Sequence, residues 1–261
     1  MIARRDAGQC LPALVLLTAA LALTGGCSSN PHRGDEESAN THAAAINTQL
    51  GTEYLNRGQY EVALDKLKRA LREDDEFAPA HTVLGVLYEQ LGENDQARKH
   101  YREAIRLQPD DGAINNNYAA FLCRQGQARE AEPYFQKALA DPFYKTPAVA
   151  LANAGVCVLD QGELDKAEAY LRKSLEYDPK FADALLPMAN LTYRQQQYLK
   201  ARGFLQRYEA VASPTPQSLM LGYRVEKELN NEKNVRHYGD ELIDRFPKSQ
   251  EAQEVMKDRR Q

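Results

Sequence analysis

The chain repeats itself with a fixed step. A Gly or Ala falls at residues 51, 85, 119, 155 and 189, and an Ala at 63, 97, 131, 167 and 201. Both marks advance together by 34 residues, apart from one step of 36 where Thr146 and Pro147 are extra. Gly58, Gly92, Gly126 and Gly162 divide the units in two, and Gln196 stands at the corresponding place in the fifth. Leu67, Tyr101, Phe135, Leu171 and Leu205 follow each Ala by four residues. Small residues at the first two marks let two helices approach closely, and the large residue fills the gap toward the neighbouring unit. Pro109, Pro142 and Pro179 end second helices, because proline lacks the amide hydrogen and crowds the preceding turn. Such a unit buries its apolar face only against its neighbours, so the units stack into one continuous core. The period sets repeats at 44–77, 78–111, 112–145, 148–181, 182–215 and 216–249. The sixth fits loosely, through Tyr223, Val235, Leu242 and Pro247, and has the charged character of a terminal cap. Residues 250–261 are expected to form a polar C-terminal helix and tail. The predicted fold class is all-α, a right-handed superhelix of about six helix–turn–helix repeats without strands.

This pattern resembles the tetratricopeptide repeat (TPR). The resemblance implies that first helices line a concave surface and that their positions 2, 5, 9, 12 and 13 contact peptide ligands. In the first three repeats those positions include Thr48, Thr52, Leu55, Asn56, Val86, Glu89, Gln90, Asn116, Ala120 and Arg124. The mixture is mildly apolar with amides, suited to backbone hydrogen bonds along a peptide. It is not a cluster of Lys and Arg, which disfavours a clamp for a terminal carboxylate. Asn116 is a poor helix former, a cost explained either by an amide that reads a ligand backbone or by a bond to a neighbouring helix. Tyr54, Tyr88, Tyr101 and Tyr118 occupy motif positions and are expected in the core. In the same register Cys123 and Cys157 lie on adjacent first helices near one seam, so either they form a disulfide or they pack as two buried thiols.

The composition supports a folded, non-catalytic array. Of 261 residues, 43% are hydrophobic and 27% charged, enough for a core. The net charge of −4 and isoelectric point near 5.8 offer no basic surface for nucleic acid. There is no phosphate-binding Gly loop, His-Glu-x-x-His, Gly-x-Ser-x-Gly or Cys-x-x-Cys, so neither an enzyme nor a cofactor is expected. His32 and His42 have no partner ligands at metal-binding spacing, and His81, His100 and His237 are scattered, His81 at a packed helix position. The acidic run Glu73-Asp74-Asp75-Glu76 reads as a solvated junction after the first repeat, or as a contact for a basic partner segment.

The beginning of the sequence reads as an address. Arg4 and Arg5 precede Leu11–Thr24, 14 residues without a charge. As a helix that run reaches about 21 Å, short of a bilayer core of about 30 Å, and so suits a signal peptide over 1–26 rather than a spanning helix. Leu23-Thr24-Gly25-Gly26-Cys27-Ser28-Ser29 resembles a bacterial lipobox, with Cys27 as the lipidated residue, although Thr24 stands where Leu is usual. Ser28 after that Cys implies transfer to the outer membrane. Residues 27–43 are then the lipidated Cys and a flexible polar tether, spanning roughly 20–24 Å.

Lipobox, tether and repeats together resemble the type IV pilus biogenesis lipoproteins of the PilF/PilW pilotin family. Asn116-Asn117-Tyr118-Ala119-Ala120-Phe121-Leu122-Cys123 and Ala152-Asn153-Ala154-Gly155-Val156-Cys157 carry that likeness within the repeats. It implies a protein lipid-anchored to the outer membrane through Cys27, facing the periplasm, that binds secretin subunits of the pilus pore and promotes their localisation and multimerisation, acting as a monomer. The alternative is another lipid-anchored TPR adaptor that organises cell-envelope enzymes or outer-membrane assembly machinery.

Overall fold

The structure, a computed structural model, describes residues 31–260, with side chains from residue 39; the expected signal peptide over 1–26 and Cys27 lie outside the described residues. Thirteen helices follow one another, and no strand occurs among the described residues. The first repeats are α1 (Pro31–Asn56) with α2 (Tyr60–Glu73), α3 (Ala78–Gln90) with α4 (Asn94–Leu107), and α5 (Gly112–Arg124) with α6 (Ala128–Ala140). Then come α7 (Pro147–Asp160) with α8 (Leu164–Tyr177), and α9 (Ala182–Arg194) with α10 (Tyr198–Glu209). The array finishes with α11 (Pro216–Glu228), α12 (Glu232–Arg245) and α13 (Gln250–Asp258). The backbone of each odd-numbered helix packs close to that of the next odd-numbered one, from α1 to α13, whereas successive even-numbered helices stand further apart and meet only through side chains, as Lys166 and Glu132 do between α8 and α6. The stack therefore bends toward the odd-numbered helices. They form the concave inner layer of a superhelical TPR array, and α2 to α12 form the convex outer layer.

The small residues act as the period requires. A Cβ on Gly85 would stand 2.8 Å from the buried Tyr101 ring, and one on Gly155 would stand 2.7 Å from Leu171. The turn glycines serve conformation instead: Gly92 and Gly162 have φ of +76° and +82°, and nothing lies within 4 Å of a Cβ at either. Gln196 and Asn230 make the same turn at φ +61° and +53°. The loose fit of the sixth repeat has a specific origin. Its close approach is displaced by one residue, with Gly222 against Tyr238, while the positions expected to be small and large hold Tyr223 and Gly239.

Two terminal expectations are corrected. The tether was expected to run to Ala43, yet α1 begins at Pro31. Proline is preorganised for the first helical position, and Ala43, Ala44 and Ala45 favour helix. Ala44 is fully buried against Ala70 and Ala80, and the Thr41 hydroxyl donates to Asp74 at 2.9 Å, so this part of α1 is docked to the array. At the other end α13 is amphipathic rather than simply polar. Ala252 and Val255 are buried against α11 and α12, and Asp258 accepts from the Tyr223 hydroxyl and from Lys227. The end of the array is thus covered by α13, and Glu226 of the sixth repeat is buried in a bidentate pair with Arg202.

Candidate functional site

The inner layer is where a ligand would meet the array, and its N-terminal half is more inwardly committed than the sequence suggests. Thr48 is buried and its hydroxyl donates to the carbonyl of Ala44 at 2.8 Å. Ala120 is buried as well. Asn116 is buried and its Oδ1 accepts from Asn153 Nδ2 at 3.0 Å, so its amide serves the bond between α5 and α7. All three are buried, Asn116 at the α5–α7 seam, and are not open as contact residues. Thr52 is half-buried and donates to Thr48 O. Leu55 and Val86 are half-buried and pack on the core. Glu89 and Arg124 reach across the α3–α5 seam to each other, with a 2.9 Å bond from the Arg124 Nη2, and the carboxylate holds that guanidinium further above its ordinary range. Asn56 and Gln90 are exposed on the rim. Thr52, Leu55, Val86, Asn56 and Gln90 remain a shallow surface that a segment can lie along.

Cys123 and Cys157 are joined as a disulfide across the α5–α7 seam, with Cα atoms 5.5 Å apart. The Asn116–Asn153 bond joins the same two helices, so covalent and polar links fasten one pair of inner helices. The two partners are separated by 34 residues, one repeat step.

A second concavity lies in the C-terminal half, beyond the residues singled out from the sequence. It is a groove of about 620 Å³ between α7, α9, α11 and α13. Its walls include Val156, Leu159, Leu186, Pro187, Met220 and Leu221. Asn190 and Tyr193 stand on the same face, and Asp160, Glu251 and Glu254 lie at its ends. The signal was available: Val156, Leu186, Asn190, Tyr193 and Met220 hold the inner-face register positions already used for the first three repeats. The size is in the range of natural ligand clefts.

Elsewhere the structure joins residues that look unrelated in sequence. His81 Nε2 donates to the carbonyl of Asp75 at 3.0 Å, and its Nδ1 lies 3.0 Å from Nδ1 of His100. Burial first, then the neighbouring His81, pushes the His100 pKa down to about 4. The acidic junction is satisfied internally, through Thr41 on Asp74 and Arg106 on Glu76. Among the described residues no cluster of metal-ligating side chains occurs, and no helix is long and apolar enough to cross a membrane.

Tetratricopeptide-repeat family models match residues 48–112, 110–180 and 158–221. The chain is 32% identical over 245 residues to the type IV pilus assembly protein PilF of Pseudomonas aeruginosa, covering 93% of this chain and 96% of that one. Among solved structures, PilW, described as a widely conserved type IV pilus biogenesis factor, superposes with a TM-score of 0.76 at 36% identity, covering 82% of this chain and 98% of PilW. Pseudomonas aeruginosa PilF superposes at 0.74 with 30% identity, covering 84% and 99%. With thirteen helices in the same repeat geometry and a full-length relative at this identity, the chain belongs to the PilF/PilW family of type IV pilus biogenesis TPR proteins.

Proposed function

We propose that this protein is a pilotin: an outer-membrane lipoprotein, anchored through Cys27, whose inner face binds secretin subunits and promotes their delivery and multimerisation for type IV pilus biogenesis. The observation that carries the reading is the Gly26-Cys27-Ser28 lipobox at the head of a chain that belongs to a pilus-biogenesis TPR family. A TPR array has no chemistry of its own to offer a pilus, but its concave layer offers backbone-reading amides and aliphatic contacts. A lipid on Cys27 supplies a destination for whatever the array holds. Stable anchoring requires more than one acyl chain, which a lipidated N-terminal Cys provides. Binding proceeds without cofactor or metal, and the protein acts as a scaffold rather than an enzyme.

The test is the amount and location of detergent-resistant secretin multimer in membrane fractions. Multimers are expected to be lost in a strain lacking the protein and to be misplaced with Cys27→Ala. Asn56→Glu combined with Gln90→Glu, both on the exposed rim, is expected to lower multimer yield without altering the abundance of the protein. Correctly placed multimers in every strain would reject the role and leave a tethered adaptor for another envelope assembly.

A further inference from the structure

We propose that the C-terminal groove is a second binding site, separate from the rim of the first three repeats, and that it takes an extended peptide segment carrying aliphatic side chains and at least one Lys or Arg. The walls of the groove are aliphatic, through Val156, Leu186, Pro187 and Met220. Its polar groups are unevenly occupied. Both cations are engaged already: Arg194 donates to the carbonyl of Leu159 at 3.0 Å, and Arg224 donates to Glu254 at 2.8 Å. Two of the three carboxylates are not. Asp160 and Glu251, at opposite ends, have no ion-pair or hydrogen-bond partner among the described residues.

The Asn190 amide, one turn after Pro187, also has no partner among the described residues and can both donate to and accept from a peptide backbone. What the groove leaves without a partner among the described residues is two carboxylates, the Asn190, Gln217 and Gln250 amides and the Tyr193 hydroxyl, groups that pair with a peptide backbone and, at the carboxylates, with a cation. A complementary ligand brings donors and positive charge, with side chains that fill the aliphatic walls between them. The lining carries three carboxylates against the two guanidiniums of Arg194 and Arg224, so an anionic segment meets an excess of negative charge, and like charges across an interface are disfavoured. Successive packed helices are about 8–10 Å apart, so α7 to α13 spans roughly 24–30 Å, the length of about eight extended residues.

The experiment is selection of a randomised octapeptide library on the full chain, followed by anisotropy titration of the selected, fluorescein-labelled peptides. Enrichment of aliphatic residues with Lys or Arg is expected. Charge reversal by Asp160→Lys with Glu251→Lys, at side chains that hold nothing else in place, is expected to weaken those peptides about tenfold or more. The Asn56→Glu/Gln90→Glu variant is expected to leave them unchanged. Unaltered helicity by circular dichroism identifies folded variants. Failure to enrich any peptide, enrichment of acidic peptides, or selected peptides indifferent to the Asp160/Glu251 reversal would each overturn the proposal. The readout involves no secretin, so its failure and that of the pilotin reading are distinguishable.

Discussion

At the scale of single residues, the His81–His100 contact admits one bridging proton. His81 Nε2–H is committed to the Asp75 carbonyl, so His81 Nδ1 is an acceptor in the neutral ring and His100 Nδ1–H donates to it. Tyr88 stacks on the His100 ring with centroids 5.4 Å apart, while Lys99 opposes and Glu103 favours its protonation. A base whose folded pKa is about 4, against an ordinary 6.5, binds fewer protons folded than unfolded between those values. Stability from this group is thus complete above pH 6.5 and declines as pH falls toward 4. After allowance for partial solvent screening the loss is about 1–2 kcal/mol. Urea midpoints at pH 7 and 5 should differ for the native chain, and His100→Asn should reduce that difference; an unchanged difference would refute the assignment. A second residue-scale prediction concerns the turns. Gln196 holds φ +61° in a place where four other repeats use Gly. Relief of a left-handed backbone cost of about 1–2 kcal/mol, less the added chain entropy of Gly, makes Gln196→Gly stabilising by about 0.5–1 kcal/mol in denaturant unfolding. Gly85→Ala runs the other way, by about 1–3 kcal/mol, because its Cβ overlaps the Tyr101 ring.

At the scale of elements, α13 decides how the array ends. Val255 is fully buried against α11 and α12, so Val255→Asp places a carboxylate where it has no water. A loss on the order of 3 kcal/mol is expected, read as a lower urea midpoint; a surface-like effect below about 0.5 kcal/mol would show that α13 is not part of the core. Most elements were legible because the small–large pairs Gly85–Tyr101 and Gly155–Leu171 impose both the step and the packing they report. Legibility failed where a different device did the same task. Gly222–Tyr238 moved the close approach by one residue, and the Ala252/Val255 pair is too short a pattern to separate a capping helix from a polar tail. The concave face was legible as a register and less so as a surface. Whether Thr48 or Asn116 is open or pressed into a seam depends on curvature, which comes from contacts between repeats rather than from any one of them. The groove between α7 and α13 followed the same register, and its depth likewise belongs to the bend.

At the scale of the molecule, an array held by neighbour contacts need not unfold all at once. Each end repeat has one neighbour among the described residues, and Ile46 and Leu50 of α1 are exposed. The middle has two neighbours and, between α5 and α7, the Cys123–Cys157 bridge together with the Asn116–Asn153 bond. A bridge closing a loop of 34 residues contributes about 3–4 kcal/mol by chain entropy. Opening that breaks the α5–α7 seam should therefore be the costliest, and fraying should begin at α1–α2. Hydrogen exchange in increasing sub-denaturing urea checks this: amides of α5–α8 should keep protection after those of α1–α2 have lost it. Reduction, or Cys123→Ser with Cys157→Ser, should lower the protection of α5–α8 most and narrow the gradient. Thiol titration of the unfolded chain before and after reduction provides the control, since two thiols must appear on reduction if the bridge is present. Uniform protection from α1 to α13, unchanged by reduction, would mean that the array opens as one unit and that the central staple does not organise its stability. Where the gradient holds, the middle seam is a fixed hinge line, with the rim of the first three repeats on one side and the C-terminal groove on the other. The two surfaces would then adjust to separate segments without either having to reshape the other.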